Sequence, residues 1–331
     1  MENGKSSMRT IPILSDILNF LTAPDLPKTS LAISETHLAL LTLRYSKREF
    51  EPRNLGVLRL PPGLVNASFT ELNIVDEPSM IDHLKKTAVQ SGMKQVKRMS
   101  ACLPAGSAYS LVISLESVPG ARTELAQVIE WKVERSLGHK FSDLQVNYRR
   151  LRDFNGHPRW IISAAHKRVI EQYERIFKEL GWQVGLITPR HIGEAQWLMR
   201  SGLEEDQVII SLNDRGFDAV IVRGDEPILI REVQCPLSER ENEFYRLMVF
   251  YKDRLLPEDS RGLLNRILTI GTPAEQRNFC DVLASALEKD TVSLGPQQLG
   301  LKIDPAAPFN HFAAAAGLAS QSPSHRLPAL R

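Results

Sequence analysis

Residues 208–222 read VIISLNDRGFDAVIV, two β-branched runs joined by a short turn that holds Gly216. Such a pattern predicts a hairpin. The same shape comes earlier, where residues 30–43, SLAISETHLALLTL, give a strand, a tight turn at 34–37 and a returning strand. Apolar residues at helical spacing predict helices over 80–92, 122–137, 169–180, 192–200, 239–256, 274–287 and 313–319. Gly92, Gly138 and Gly181 act as stops for the first three. Further strands are expected at 71–75, 98–103, 110–114, 184–188, 227–233 and 266–270. A hairpin over 145–151 and 159–165 turns at Asn155-Gly156. Pro61-Pro62-Gly63 and Pro104-Ala105-Gly106 mark loops. The two halves therefore open alike, hairpin first and then strand and helices, which suggests an internal duplication.

Composition narrows the class. Hydrophobic residues at 43% and charged residues at 24% match a folded globular chain, so disordered and fibrous classes are excluded. The formal net charge of +2 carries no basic excess of the kind that nucleic acid demands. The short basic groups Lys94–Lys97–Arg98 and Arg149–Arg150–Arg152 read as solvated faces. Cys102, Cys235 and Cys280 are odd in number and far apart, so neither a disulfide framework nor a zinc motif is supported; Cys102 and Cys280 read as buried small hydrophobes. No stretch reaches the apolar length of a membrane span, and no signal-peptide pattern opens the chain. Residues 11–21, IPILSDILNFL, are expected to form a short amphipathic helix that docks on the body or touches a membrane surface. The Pro/Ser-rich tail is expected to be disordered.

The order and spacing of several stretches resemble the type IV pilus assembly protein PilM family of the actin-like ATPase superfamily. These are residues 30–43, RTELAQVIEWKVERSLGHKFSDLQVNYRRL, SAAHKRVIEQYERIFKELGWQVGLITPRHIGEAQWLMR, REVQCPLSERENEFYRLMVFYKDRL and FNHFAAAAGLA. The resemblance implies an α/β, duplicated actin-like ATPase (ribonuclease H-like) fold, with two lobes around a cleft and a small α/β insertion in the first. The expected divisions are an N-terminal helix and linker at 1–27 and a first lobe at 28–103 with 187–203 returning. An insertion at 104–186, a second lobe at 204–320 and a tail at 321–331 complete the chain.

In that superfamily each phosphate hairpin carries an Asp-x-Gly. The acid organises magnesium or the attacking water, and the glycine admits backbone N–H groups to the phosphates. Matching the strands puts Ala32 and Ser34 at the first such pair, and Ser211 and Asn213 at the second. A Gly-Gly pair beside the adenosine is here Ile270-Gly271. Asp214 and Asp218 lie near the second hairpin, the former in the turn and the latter on the returning strand. Losing both acids argues against turnover, so no cofactor is expected, and Mg2+-ATP would need compensating acids.

The resemblance then implies a non-catalytic scaffold of a pilus or related secretion assembly. It would be cytoplasmic and held at the inner membrane by a PilN-like bitopic protein, whose N-terminal peptide docks in a groove of the first half, alongside other pilus assembly components. Self-association is left open. Trp131, Tyr148 and Trp160 are candidates to line that groove, with a core role as the alternative for each. Two competing readings are a working ATPase or sugar-kinase-like phosphotransferase, and the cytoplasmic L component of a type II secretion system.

Overall fold

The computed structural model describes residues 26–93, 97–255 and 264–322. The expected N-terminal helix, the tail beyond 322 and Lys94 lie outside the described residues. The first lobe begins with β1 (Thr29–Ile33), β2 (His37–Ser46) and β3 (Glu49–Arg59), followed by α1 (Glu77–Gln90) and β4 (Arg98–Leu103). An insertion follows, comprising β5 (Tyr109–Ser114), α2 (Arg122–Leu137), β6 (Leu144–Phe154) and β7 (His157–His166). Then come α3 (Lys167–Glu179), β8 (Gln183–Pro189) and α4 (Arg190–Met199). The second lobe holds β9 (Asp206–Asn213), β10 (Gly216–Arg223), β11 (Glu226–Gln234), α5 (Arg240–Arg254), β12 (Arg266–Ile270), α6 (Pro273–Leu287), β13 (Val292–Ser293) and α7 (Phe309–Ala319).

The duplication is explicit in the sheets. One runs β3-β2-β1-β4-β8 and the other β11-β10-β9-β12-β13. In each, the opening hairpin is antiparallel and the strand beside it is parallel. Residues 30–43 and 208–222 thus occupy equivalent hairpins. Nearly every residue of β9 and β10 is buried, which is why both read as continuous apolar runs.

Two helices stitch the lobes together. Helix α4 leaves the first sheet and packs on β9 and β10, while α7 leaves the second and packs on β1, β2 and β4. They cross at glycine: a Cβ on Gly317 would collide with the Gly193 carbonyl, and one on Gly193 would sit 2.6 Å from Cys102 Sγ. The alanines of α7 join Leu41, Phe50, Trp197, Ile209 and Val220 in one apolar cluster spanning both sheets. Small side chains are what let two helices share that narrow layer.

Three expectations need correction. The segment 71–75 is not a strand and makes only the isolated bridge Val65–Ile74. Its amides at Asn73 and Ile74 donate to Gln172 Oε1 at 2.8 and 3.0 Å, so a side chain takes the place of a neighbouring strand. The insertion does not run to residue 186. Val169, Tyr173, Ile176 and Phe177 of α3 pack into the first-lobe core, and β8 pairs with β4. Only β5, α2, β6 and β7 form the separate three-stranded unit. Cys102 is buried as expected, but Cys280 is only half-buried.

Candidate functional site: the cleft between the hairpins

The turns of the two hairpins meet at the cleft mouth. Arg215 of the second donates to Glu35 of the first at 3.1 Å, and Glu35 also accepts from the Ala67 amide at 2.8 Å. Where an ATPase of this fold would hold phosphates between open hairpins, an ion pair ties them together.

Behind it lies a second pair that local sequence positions directly. Pro189 ends β8 and Arg190 opens α4, so Arg190 and Glu194 stand one helical turn apart on a buried face. Arg190 Nε donates to Glu194 at 2.8 Å, and the Glu194 side chain is fully buried. Ser211 donates its hydroxyl to the other Glu194 oxygen. Arg190 also reaches the Asn310 carbonyl at 3.4 Å. Arg190, deep in the cleft, is thereby neutralised from its own helix. Next to it, His37 and His311 stack with ring centres 3.8 Å apart. Burial and the neighbouring charges of His37 and Arg190 push the His311 pKa down to about 4.

What remains of the cleft is a cavity of about 200 Å³ lined by Ala32, Ser34, Arg190, Asn213 and His311 among others. That is below the roughly 300–1,000 Å³ usual for a small-molecule site. A second cavity of about 540 Å³ runs past Gly271, Gln276, Pro296 and Pro308. Gly271 itself is packed: a Cβ there would meet Leu212 Cδ1 at 2.8 Å and Glu275 Oε2 at 2.9 Å. Among the described residues, two of the three carboxylates on the cavity wall, Glu35 and Glu194, are held in ion pairs, and the third, Asp214, stands in the second hairpin's turn.

The positions read from sequence separate into three groups. Ala32, Ser34 and Asn213 come together on the cavity wall. Ser211 and Ile270 are buried, each 1% exposed, and Gly271 sits at the second cavity. The register pairs Ala32 with Cys102 and Ser211 with Ile270, so the two hairpin positions are topologically equivalent. Asp218 pairs across from Ser211, is 3% exposed, and does not line the cavity. Burial and the Glu194 charge raise its pKa, while a hydrogen bond from the Asn213 side chain opposes the shift. Sequence reading missed Arg190 and Glu194, although an Arg-x-x-x-Glu pair in an otherwise apolar buried helix was a signal available to it.

The groove candidates also divide. Trp160 is 2% exposed and belongs to the core of the insertion, because its face of β7 lies under α2, so it lines no groove. Trp131 is 54% exposed with Arg135 stacked over its ring, and Tyr148 is 45% exposed on β6. Neither lines the channel between β6 and β8. That channel, about 500 Å³, is bounded by Gln145 and Asn147 of one strand, Val184–Ile187 of the other and Ile170 of α3. Among the described residues, β6 and β8 are both edge strands with no partner on their outer sides. The insertion is braced on its far side by Arg152, which donates its amide to Glu226 at 2.7 Å and pairs with Asp225 at 2.7 Å.

No protein-family model matches the sequence, and no curated protein matches it. Solved structures do. A PilM–PilN type IV pilus biogenesis complex is 14% identical, with 92% of this chain and 100% of that chain covered and a TM-score of 0.71. A Bacteroides thetaiotaomicron protein with actin-like ATPase fold and unknown function is 14% identical, covering 86% of this chain and 93% of that one at a TM-score of 0.46. The cytoplasmic domain of EpsL, an inner-membrane component of the Vibrio cholerae type II secretion system, is 11% identical, covering 89% and 93% at 0.44. At these identities the likeness speaks to architecture: the chain has the duplicated actin-like ATPase fold.

Proposed function

We propose that this protein is a non-catalytic actin-like scaffold of a type IV pilus or related secretion assembly. It is peripheral to the inner membrane and binds a short cytoplasmic peptide of a PilN-like membrane partner. The observation that carries the reading is the cross-linked cleft: Glu35–Arg215 at its mouth and Arg190–Glu194–Ser211 behind it, between the hairpins where the resemblance would put the phosphates. The fold persists without the chemistry, and the cluster shared by both sheets favours one rigid body over a hinged enzyme. No described helix is long and apolar enough to cross a membrane, in keeping with attachment through a partner. The channel between β6 and β8 suits such a peptide. An extended chain there can hydrogen-bond to free strand edges on both sides, while Ile170, Val184 and Leu186 offer apolar contact.

Gly185 supplies a clean test. It lies on β8 in the channel wall with open space where a Cβ would stand. Gly185→Arg should fill the channel and leave the fold intact. A labelled peptide from the N-terminus of the bitopic partner made in the same cells should bind the unaltered chain. The variant should bind at least about tenfold more weakly, with an unchanged melting curve. Equal binding by both proteins would sink the channel assignment.

A further inference from the structure

Three donor side chains that play no part in the cleft converge beside it. His191 is the second residue of α4, Asp218 lies within β10, and Glu232 stands opposite Asp218 in the β10–β11 register. One ligand atom from each lies within 4.8 Å of the other two. His191 Nδ1 and Asp218 Oδ2 are 3.9 Å apart. His191 is 2% exposed and Asp218 3%. Asp218 Oδ2, Glu232 Oε1 and His191 Nε2 all lack a hydrogen-bond partner. Buried polar atoms are rarely left so, and three in one place call for an explanation.

The charges point the same way. Arg190, the cation that acts on Asp218, is already bound by Glu194. Asp218 and Glu232 therefore face each other across the register with only a shared cation near Asp218, and burial raises the pKa of both. A buried anion pair is relieved by protons or by a cation. The imidazole beside them favours the cation, because one nitrogen and two carboxylate oxygens form a donor set suited to zinc or manganese and not to magnesium or calcium.

Each acid is also oriented from behind. The Asn213 side chain beside Asp218 and the Ser110 backbone beside Glu232 each favour the charged carboxylate, while one oxygen of each acid stays unpartnered. Such outer groups are the ordinary support of metal ligands. The site opens on the Glu232 side: Ser110 and Glu232 line a cavity of about 790 Å³ between the insertion and the second lobe.

We propose that His191, Asp218 and Glu232 form a binding site for a divalent transition-metal ion such as Zn2+. The donors would close by about 1 Å to reach zinc bond lengths of roughly 2.0–2.2 Å. A bound ion would fasten α4, from the first half, to β10 and β11 of the second, making it a structural rivet of the two-lobed body.

The test uses the full chain, stripped with chelator and titrated at neutral pH with Zn2+ alone and, separately, Mn2+ alone. One equivalent should bind and raise the melting temperature. The double variant Asp218→Asn/Glu232→Gln keeps the shape of protonated acids, and His191→Gln removes the imidazole; each should weaken binding at least about tenfold. X-ray absorption at the zinc edge of the unaltered protein should report one imidazole in a nitrogen–oxygen shell, a readout that needs no variant to fold. No binding tighter than about 100 µM would overturn the proposal. So would full binding by the double variant, or a shell with sulfur or several imidazoles.

Discussion

Ser211 and Glu194 show how a hairpin hydroxyl can anchor a buried carboxylate from another element. The Ser211 hydroxyl donates to a carboxylate arriving from α4. The arrangement makes the buried and exposed ion pairs of the cleft unequal. Glu194→Ala would leave Arg190 charged and Ser211 without its acceptor in a buried site, and should cost about 3–5 kcal/mol in denaturant unfolding. Arg215→Ala, which breaks the half-exposed pair at the mouth, should cost less than about 1 kcal/mol. Similar losses from both would contradict the burial argument. The stacked histidines add a pH signature. His311 is held near 4 in the folded chain against 6.5 for an unperturbed imidazole, so the unfolded state binds the proton more readily between those values. Stability should therefore fall as pH drops from about 6.5 towards 4, and level off in this contribution below that. His311→Gln should flatten that limb relative to the unaltered protein, and matched profiles would exclude the pair as its source.

At the scale of elements, the α4–α7 crossing is a tight joint. Gly317→Ala must push against the Gly193 backbone and Trp197, whose indole N–H already donates to the Ala313 carbonyl at 3.0 Å. Overpacking of this kind should cost about 1–3 kcal/mol. Gly185→Ala, in open space on β8, should cost nothing measurable in the same thermal melt. Much of the element layout was legible beforehand. The stripe over α2 matched Arg122–Leu137 residue for residue, closed by Gly138 in the left-handed conformation. Asn155 and Gly156 both adopt positive φ at the hairpin turn, as that dipeptide demands. Strand β3 was not read, because EFEPRNLGVLR carries Pro52, charges and no steady alternation. Its pairing with β2 makes it a strand. The absent strand at 71–75 failed for the converse reason: its pattern was right, but Gln172, about a hundred residues on, claimed its amides.

For the molecule as a whole, the duplicated sheets and the shared cluster between them describe a body built to hold its shape. Mg2+-ATP titrated calorimetrically into the purified chain should give no saturable heat, and a dissociation constant at or below about 100 µM would defeat the scaffold reading. In cells, the protein should sediment with membranes while its bitopic partner is present and turn soluble when that partner is deleted. Retention without the partner would assign attachment to another element.

The amino-acid sequence by itself determined the hairpins, the helix stripes with their stops and the repeated opening of the two halves. All of these are local, carried by periodicity and residue type within a few positions. Only the tertiary structure decided that α3 and β8 belong to the first lobe, that Trp160 is core, and that Arg215 closes on Glu35 across 180 residues. It alone brought His191, Asp218 and Glu232 together. Periodicity states which face of an element is buried. It does not state which element covers that face, and a site made of single residues from separate strands and helices exists only once that packing is settled.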